Sequence, residues 1–179
     1  MNNKLSAKEI SKLAMMAAIS MVLLLVVRIP FPPAPFLVYD PADMPIFITA
    51  FAYGPVAGLV VTVVVSLIQA FLLGGDGLYG FLMHVVATGT VAVLIGALYK
   101  SKKTKKRAIQ CLVVGVVVAI IVMAGMNLLI TPLYMGVETK AVVVMLPTVI
   151  IPFNALKFGL NSILTFLLYK RLSGFLHKV

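Results

Sequence analysis

The sequence contains few of the residues on which soluble enzymes rely. Only 11% of its 179 residues are charged, five of these are acidic, and tryptophan is absent. The single cysteine, Cys111, lies in an apolar stretch, so disulfides play no part. The two histidines, His84 and His177, lie far apart, and no group of side chains has the spacing of metal ligands. These shortages argue against a metal site and against a catalytic centre of paired acids and bases.

Nucleotide-binding and catalytic motifs are missing too. The chain has neither a phosphate-binding P-loop nor a G-x-S-x-G nucleophile motif. Without an ATP-binding motif, it cannot energise transport by hydrolysis on its own. We therefore expect a protein that is not an enzyme and that carries no cofactor.

Apolar residues, by contrast, make up 62% of the chain, which is more than a soluble domain carries. A chain of 179 residues has too little interior to bury that much apolar surface, so lipid must cover it. Four stretches have the roughly 20 apolar residues that a membrane-spanning helix needs. They cover residues 10–28, 80–99, 109–131 and 148–170. The sequence thus predicts an all-α, multi-pass membrane protein that forms one domain over residues 1–179, with the first stretch as a retained helix.

A fifth apolar segment, residues 45–73, decides the helix count. It contains Gly54-Pro55, and proline interrupts a helix because it lacks a backbone donor and disfavours helical geometry in the residue before it. Two helices, 45–53 and 56–73, give six in total and place the basic loop 100–107 on the same side as the basic termini. A single helix would separate them, against the positive-inside rule. We therefore expect six helices, with both termini in the cytoplasm.

The predicted topology also accounts for the net charge of +10, without any binding of nucleic acid. Most of the basic residues fall in the three cytoplasmic segments, and none of the five acids lies inside a predicted span. The helix over 45–53 is too short to cross a bilayer alone, so its ends need cover from protein or a water-filled cavity. Short helices of this kind accompany binding sites in transporters.

The loop between the first two helices, residues 28–45, contains six prolines and three aromatic residues. Proline makes such a segment stiff, so we expect an apolar lid across one end of the helices. At least one of Asp40 and Asp43, near the end of this loop, is expected to cap the short helix. Contact of these carboxylates with a ligand is the alternative.

Polar residues inside the apolar helices indicate where a ligand would bind. Asn154, Lys157 and Asn161 share one face of the last helix. Lysine is unfavourable in an apolar span and usually faces a cavity or a partner, although one near a helix end can reach the membrane surface. Asn127, in the fifth helix, suits a ligand or a neighbouring helix equally, and His84 suits an interhelical hydrogen bond. The pattern predicts an outward-facing pocket for a neutral ligand with hydrogen-bonding groups and an apolar body.

Several segments of the chain resemble one family of membrane transport proteins. They are Tyr39-Asp-Pro-Ala-Asp-Met-Pro45, Phe51-Ala-Tyr-Gly-Pro-Val-Ala-Gly58, Asn127 with Pro132-Leu-Tyr134, Ile150-Ile-Pro-Phe-Asn-Ala-Leu-Lys157 and Leu168-Tyr-Lys-Arg-Leu172. In this order the chain resembles the S components of energy-coupling factor (ECF) vitamin transporters. The Ile-Pro-Phe-Asn-x-x-Lys element resembles the riboflavin-binding type, whereas the Gly-Pro-x-x-Gly turn is shared across S components.

The resemblance implies a high-affinity subunit, with six helices and both termini inside, that binds riboflavin from outside the cell. It also implies transport together with a transmembrane T component and two cytoplasmic ATPases in the cell membrane. The ligand contacts that we expect are Asn127, Asn154, Lys157, Leu37, Tyr39, Asp40 and Asn161. Ala14 and Ala18, four residues apart on the first helix, match the surface by which S components dock on the T component.

Two alternatives stay open at this point. The same architecture would serve another vitamin or precursor, with only the pocket changed. A carrier that is coupled to ions and acts alone is a different class, and it would need intramembrane carboxylates.

Overall fold

The computed structural model describes residues 6–72 and 77–177, and the surroundings of side chains as far as Tyr169. The helices in these ranges are α1 Ala7–Val26, α2 Asp43–Tyr53, α3 Pro55–Leu72, α4 Gly77–Lys100, α5 Lys105–Met135, α6 Thr139–Met145 and α7 Ile151–His177. A π-helical turn, Leu146–Ile150, joins α6 to α7. Five helical runs are long and apolar enough to cross a membrane, when α6 to α7 is counted as one. The prediction of a mostly helical membrane protein is confirmed.

The all-α prediction is wrong for the first loop, which forms a β-hairpin. Strands β1 (Ile29–Phe31) and β2 (Ala34–Tyr39) pair antiparallel, with an irregularity beside Phe31. A two-stranded sheet tolerates the prolines of this loop because both strands are edges, where a missing backbone donor breaks few hydrogen bonds. The hairpin also packs on the last helix, since the rings of Phe31 and Phe153 lie 5.5 Å apart. The loop is therefore ordered by pairing as well as by its prolines.

The break between the second and third helices lies where the sequence places it. Gly54 has a φ of 93°, a conformation that glycine adopts without steric penalty. Pro55 then opens α3, and the first position of a helix is one where proline's missing donor does no harm. The helix α2 begins at Asp43 instead of at residue 45. The predicted end of the third helix, Leu73, lies outside the described residues.

The last two predicted spans are longer than expected, because proline does not end either of them. Pro132 lies inside α5, which ends at Met135 and is followed by Gly136 in a left-handed conformation with a φ of 66°. Pro147 lies in the π-helical turn, so the helical run that contains predicted residues 148–170 already begins at Thr139. A proline inside a helix removes one backbone hydrogen bond, and its ring clashes with the carbonyl group four residues earlier. The wider π-helical turn relieves this clash at Pro147.

The short helix α2 lies at the centre of the protein. It packs against α1, α3, α4 and α7, and all of its residues from Asp43 to Ala52 are buried. Phe47 stacks on Phe158, while Phe51 contacts the rings of Tyr99 and Tyr169. The expectation that protein covers this short helix is therefore confirmed.

Two glycines let the neighbouring helices approach α2 closely. A Cβ atom at Gly58 would lie 2.8 Å from the Cβ atom of Ala50, and one at Gly96 would lie 2.8 Å from the backbone nitrogen of Pro55. The Gly54-Pro55 break is thus held tightly against α4.

Candidate ligand-binding site

One end of the helix bundle encloses a cavity of about 220 Å³. Its polar and charged lining residues are Arg28, Asp40, Ser66, Gln69, Tyr79, His84, Thr88, Asn127, Thr131, Tyr134, Asn154 and Lys157. Apolar side chains that include Phe36, Leu37, Met83, Phe153 and Phe158 supply most of the remaining wall. An apolar wall with a few polar groups is typical of a small-molecule site.

The cavity exists because α2 is short. Its 11 residues rise about 16 Å, roughly half of the hydrocarbon thickness of a bilayer. Asp43, its first residue, contacts His84 and Thr88, and both of these line the cavity. The cavity therefore lies beyond the N-terminal end of α2, in the layer that a full-length helix would fill.

Lys157 and Asp40 form an ion pair in the cavity wall. The Lys157 Nζ atom donates to the Asp40 Oδ2 atom at 2.9 Å, and their side chains are only 14% and 5% exposed. The second carboxylate oxygen of Asp40 accepts from the backbone N–H of Ala42 at 3.1 Å. Lys157 thus faces the cavity and a partner, as its place in an apolar helix predicts. The pair ties the end of the hairpin to α7.

The expectation that Asp40 or Asp43 caps α2 is wrong. The N-cap residue is Ala42, which has no side chain that can accept a hydrogen bond. Asp40 closes a turn before the helix, and Asp43 is already the first helical residue. Both carboxylates instead bond side chains from distant parts of the chain.

Asn161 supports the ion pair from one helical turn further along α7. It is fully buried, and its Nδ2 atom donates to the backbone oxygens of Asp40 and Lys157, each at 3.0 Å. Neither Asn161 nor Tyr39 lines the cavity, whereas Leu37 does. Burial, followed by the nearby charge of Asp40, raises the pKa of the Tyr39 phenol, which stays neutral at physiological pH. Ligand contact by Tyr39 and Asn161 stays a prediction.

Asn127 and Asn154 line the cavity from α5 and α7 and are each 1% exposed. The Nδ2 atom of Asn127 donates to the Met123 carbonyl at 2.8 Å, and that of Asn154 to the Ile150 carbonyl at 2.8 Å. Each amide is therefore held in one orientation. Because an amide nitrogen carries two hydrogens, each retains a donor beyond this bond.

A buried network joins α2 to the α3 and α4 wall. The Asp43 Oδ1 atom lies 2.9 Å from the His84 Nε2 atom and accepts from the Thr88 hydroxyl at 2.9 Å. The His84 Nδ1 atom lies 2.9 Å from the Ser66 hydroxyl. The interhelical role predicted for His84 is confirmed, and Asp43, the first residue of α2, takes part in the same network. Its place at the end of a proline-rich loop concealed this role.

Several lining residues were not singled out from the sequence. They are Arg28, Gln69, Tyr79, Thr88, Thr131 and Tyr134. A polar residue inside an apolar span was a usable signal for Gln69, Thr88 and Thr131. The others lie near helix ends, where polar residues are common and carry no such signal.

Ala14 and Ala18 lie together on the outer surface of α1. Both are exposed, while Ala17 between them is buried against the core. Exposed small residues allow another helix to approach closely. Their role in docking stays a prediction.

The arrangement can hold an uncharged molecule by apolar contact and by a few fixed hydrogen bonds. Within residues 6–72 and 77–177, no group of three His, Cys, Asp or Glu side chains could hold a metal ion. The fold and the cavity define a membrane-embedded protein that binds a small molecule.

Comparison with known proteins identifies the family. Residues 8–169 match the family described as the substrate-specific component of the ECF transporter. The chain is 33% identical over 179 residues to the riboflavin transporter RibU of Staphylococcus aureus (strain TCH60), covering 96% of this chain and 94% of RibU. It is 27% identical over 186 residues to the riboflavin transporter FmnP of Bacillus subtilis (strain 168), covering 97% of this chain and 96% of FmnP.

A solved structure agrees with this match. The S component of a bacterial ECF transporter superposes with a TM-score of 0.80 at 32% identity, covering 94% of this chain and 97% of that chain. This chain therefore belongs to the family of substrate-specific components of ECF transporters. It is a transport subunit and not an enzyme.

Proposed function

We propose that this chain is the riboflavin-binding subunit of an ECF-type transporter and that it captures the vitamin from outside the cell. The observation that carries the proposal is the meeting of Asn127, Asn154 and Lys157 in one buried cavity. These residues come from α5 and α7, and the sequence alone indicated all three. Similarity to RibU and FmnP along nearly the whole chain supports riboflavin over another vitamin.

The chemistry of the cavity suits a flavin. The isoalloxazine ring is flat and apolar on both faces, and aromatic walls such as Phe153 and Phe158 favour stacking. Its polar edge and the ribityl hydroxyls require donors, which the two amides and the ammonium group supply. Riboflavin enters this account as cargo, and we expect no resident cofactor.

The orientation that we propose in the membrane rests on which end of the bundle carries the cavity and which end carries the basic loop. The cavity end is formed by the end of α1 and the start of α7. At the opposite end, the Tyr99 and Tyr169 hydroxyls bond at 2.8 Å, and Arg107 Nε bonds the Leu98 carbonyl at 3.2 Å. The basic loop between α4 and α5 lies at that second end, as does the start of α1. We therefore propose that this second end lies in the cytoplasm and that the cavity faces outward, in agreement with the positive-inside rule. The proposed topology has six helical segments, of which α2 is the short one.

Transport requires partners that supply energy. The chain has no ATP-binding motif, so we propose that it works with a transmembrane T component and two cytoplasmic ATPases in the cell membrane. The exposed pair Ala14 and Ala18 on α1 is the proposed docking surface for the T component.

Equilibrium binding of riboflavin to the protein purified in detergent tests the proposal. We expect saturable quenching of flavin fluorescence at nanomolar to low micromolar ligand. Competition with unlabelled thiamine and biotin serves as the control, and neither is expected to displace the flavin. If the protein binds another vitamin and does not bind riboflavin, the assignment of the ligand is wrong, although the proposed architecture still holds.

A further inference from the structure

Gln69 differs from the other polar groups on its side of the cavity. It lies near the end of α3, a helix that packs on α1, α2 and α4, whereas Asn127, Asn154 and Lys157 come from α5 and α7. Its side chain lines the cavity, and its amide oxygen Oε1 is buried. This oxygen has no hydrogen-bond partner within the part of the chain that the structure describes.

The neighbouring polar groups of this wall are already engaged. The Ser66 hydroxyl donates to the Thr62 carbonyl at 2.7 Å and contacts His84, and the Thr88 hydroxyl donates to Asp43. These hydrogen bonds hold the helices together. The Asp43 Oδ2 atom is also buried and has no hydrogen-bond partner among the described residues, but Asp43 does not line the cavity. Gln69 has no such structural use for its oxygen, so packing alone does not explain a glutamine there.

A buried carbonyl oxygen without a donor is unfavourable, and most buried polar groups in native proteins have a partner. An aliphatic side chain at position 69 would avoid this penalty in an otherwise apolar helix. The Gln69 side chain lines the proposed binding cavity, and rotation of its terminal amide can turn the oxygen toward a bound molecule. A hydrogen-bond donor on the bound molecule would satisfy it.

We propose that Gln69 is a ligand-contacting residue that determines specificity, and that its Oε1 atom accepts a hydrogen bond from a donor on the ligand. The proposal rests on the proposed function and deepens it. Riboflavin offers two kinds of donor, the N–H of the ring imide and the hydroxyls of the ribityl chain. Either would place a recognition contact on the α3 wall, away from the amides of α5 and α7.

The test compares Gln69→Leu with a matched control, Gln110→Leu. Gln110 is the only other glutamine of the chain and is exposed on α5, away from the cavity. Kd is measured in detergent for riboflavin, lumiflavin and N3-methylriboflavin. Lumiflavin keeps the imide but lacks the ribityl chain. N3-methylriboflavin keeps the ribityl chain but lacks the imide N–H. Loss of one buried hydrogen bond predicts that Gln69→Leu binds riboflavin about tenfold more weakly. Gln110→Leu is expected to bind riboflavin as the wild type does.

The analogues identify the donor. If the imide is the donor, Gln69→Leu also binds lumiflavin more weakly than the wild type does, but it binds N3-methylriboflavin equally well. If a ribityl hydroxyl is the donor, Gln69→Leu binds N3-methylriboflavin more weakly and lumiflavin equally well. We also expect the ligand-free Tm of Gln69→Leu to equal or exceed that of the wild type, because an unpaired buried oxygen is removed. Unchanged riboflavin affinity, or an equal loss for all three flavins, would overturn the inference alone. A wild-type protein that binds no riboflavin would overturn the proposed function and the inference together.

Discussion

Replacing Lys157 by methionine removes the ammonium group and keeps an unbranched apolar chain as far as the ε position. In the structure this group donates to Asp40 at 2.9 Å in the wall of the cavity. A hydrogen bond to a charged group contributes about 1.5–3 kcal/mol. If the same ammonium group bonds riboflavin, its loss weakens binding about 10- to 150-fold. We therefore expect Lys157→Met to lower riboflavin affinity by at least tenfold.

The single variant also leaves Asp40 buried without its partner. Breaking one side of a buried ion pair destabilises a protein by about 3–5 kcal/mol, so the affinity of Lys157→Met alone would mix loss of a contact with loss of fold. Asp40→Asn removes the unpaired charge and keeps a side-chain oxygen for the Ala42 N–H. The double variant is expected to recover most of the Tm that Lys157→Met loses, without recovering riboflavin affinity.

The assay is a fluorescence-quenching titration of each variant in detergent, with Tm measured on the same samples. Lys140→Met is the matched control, because Lys140 is exposed on α6 and does not line the cavity. The reasoning would be refuted by a double variant that is folded and binds riboflavin with the Kd of the wild type. That result would mean that Lys157 only anchors the hairpin.

Three further predictions concern other parts of the molecule. Asn154→Ala removes a fixed amide from the cavity and should raise the riboflavin Kd about tenfold or more with little change in Tm; an unchanged Kd would move the pocket elsewhere. Gly96→Ala places a methyl group 2.8 Å from the backbone of Pro55, where overpacking costs about 1–3 kcal/mol. Its Tm should fall, while Gly125→Ala, with no atom within 4 Å of its added Cβ, should not lose Tm in this way. Ala18→Leu should preserve riboflavin binding in detergent and abolish uptake by the assembled transporter; normal uptake would contradict the docking role.

The sequence predicts those site residues that are polar or charged and lie inside an apolar helix. Lys157 is conspicuous because a charge inside an apolar span needs a reason, and Asn154 lies on the same helical face. Their meeting with Asn127 in one cavity agrees with the pattern. The short second helix follows from the Gly54-Pro55 break combined with the distribution of basic residues.

The sequence pattern could not predict contacts between segments that are far apart in the chain. Asp43 and His84 are 41 positions apart, and Asp40 and Lys157 are 117 apart, so no periodicity connects them. The hairpin was missed because proline suppresses the usual strand signals. The predicted fifth span ends at residue 131, yet α5 continues through Pro132 to Met135, since packing outweighs the loss of one backbone hydrogen bond.

The central claim is that riboflavin binds in the cavity between the hairpin and the ends of α5 and α7. The most direct measurement is an experimental structure of the protein purified with riboflavin. We predict density for the flavin in this cavity, within hydrogen-bond distance of Asn127, Asn154 and Lys157. Flavin density at any other place, with these three side chains arranged as they are now, would contradict the account.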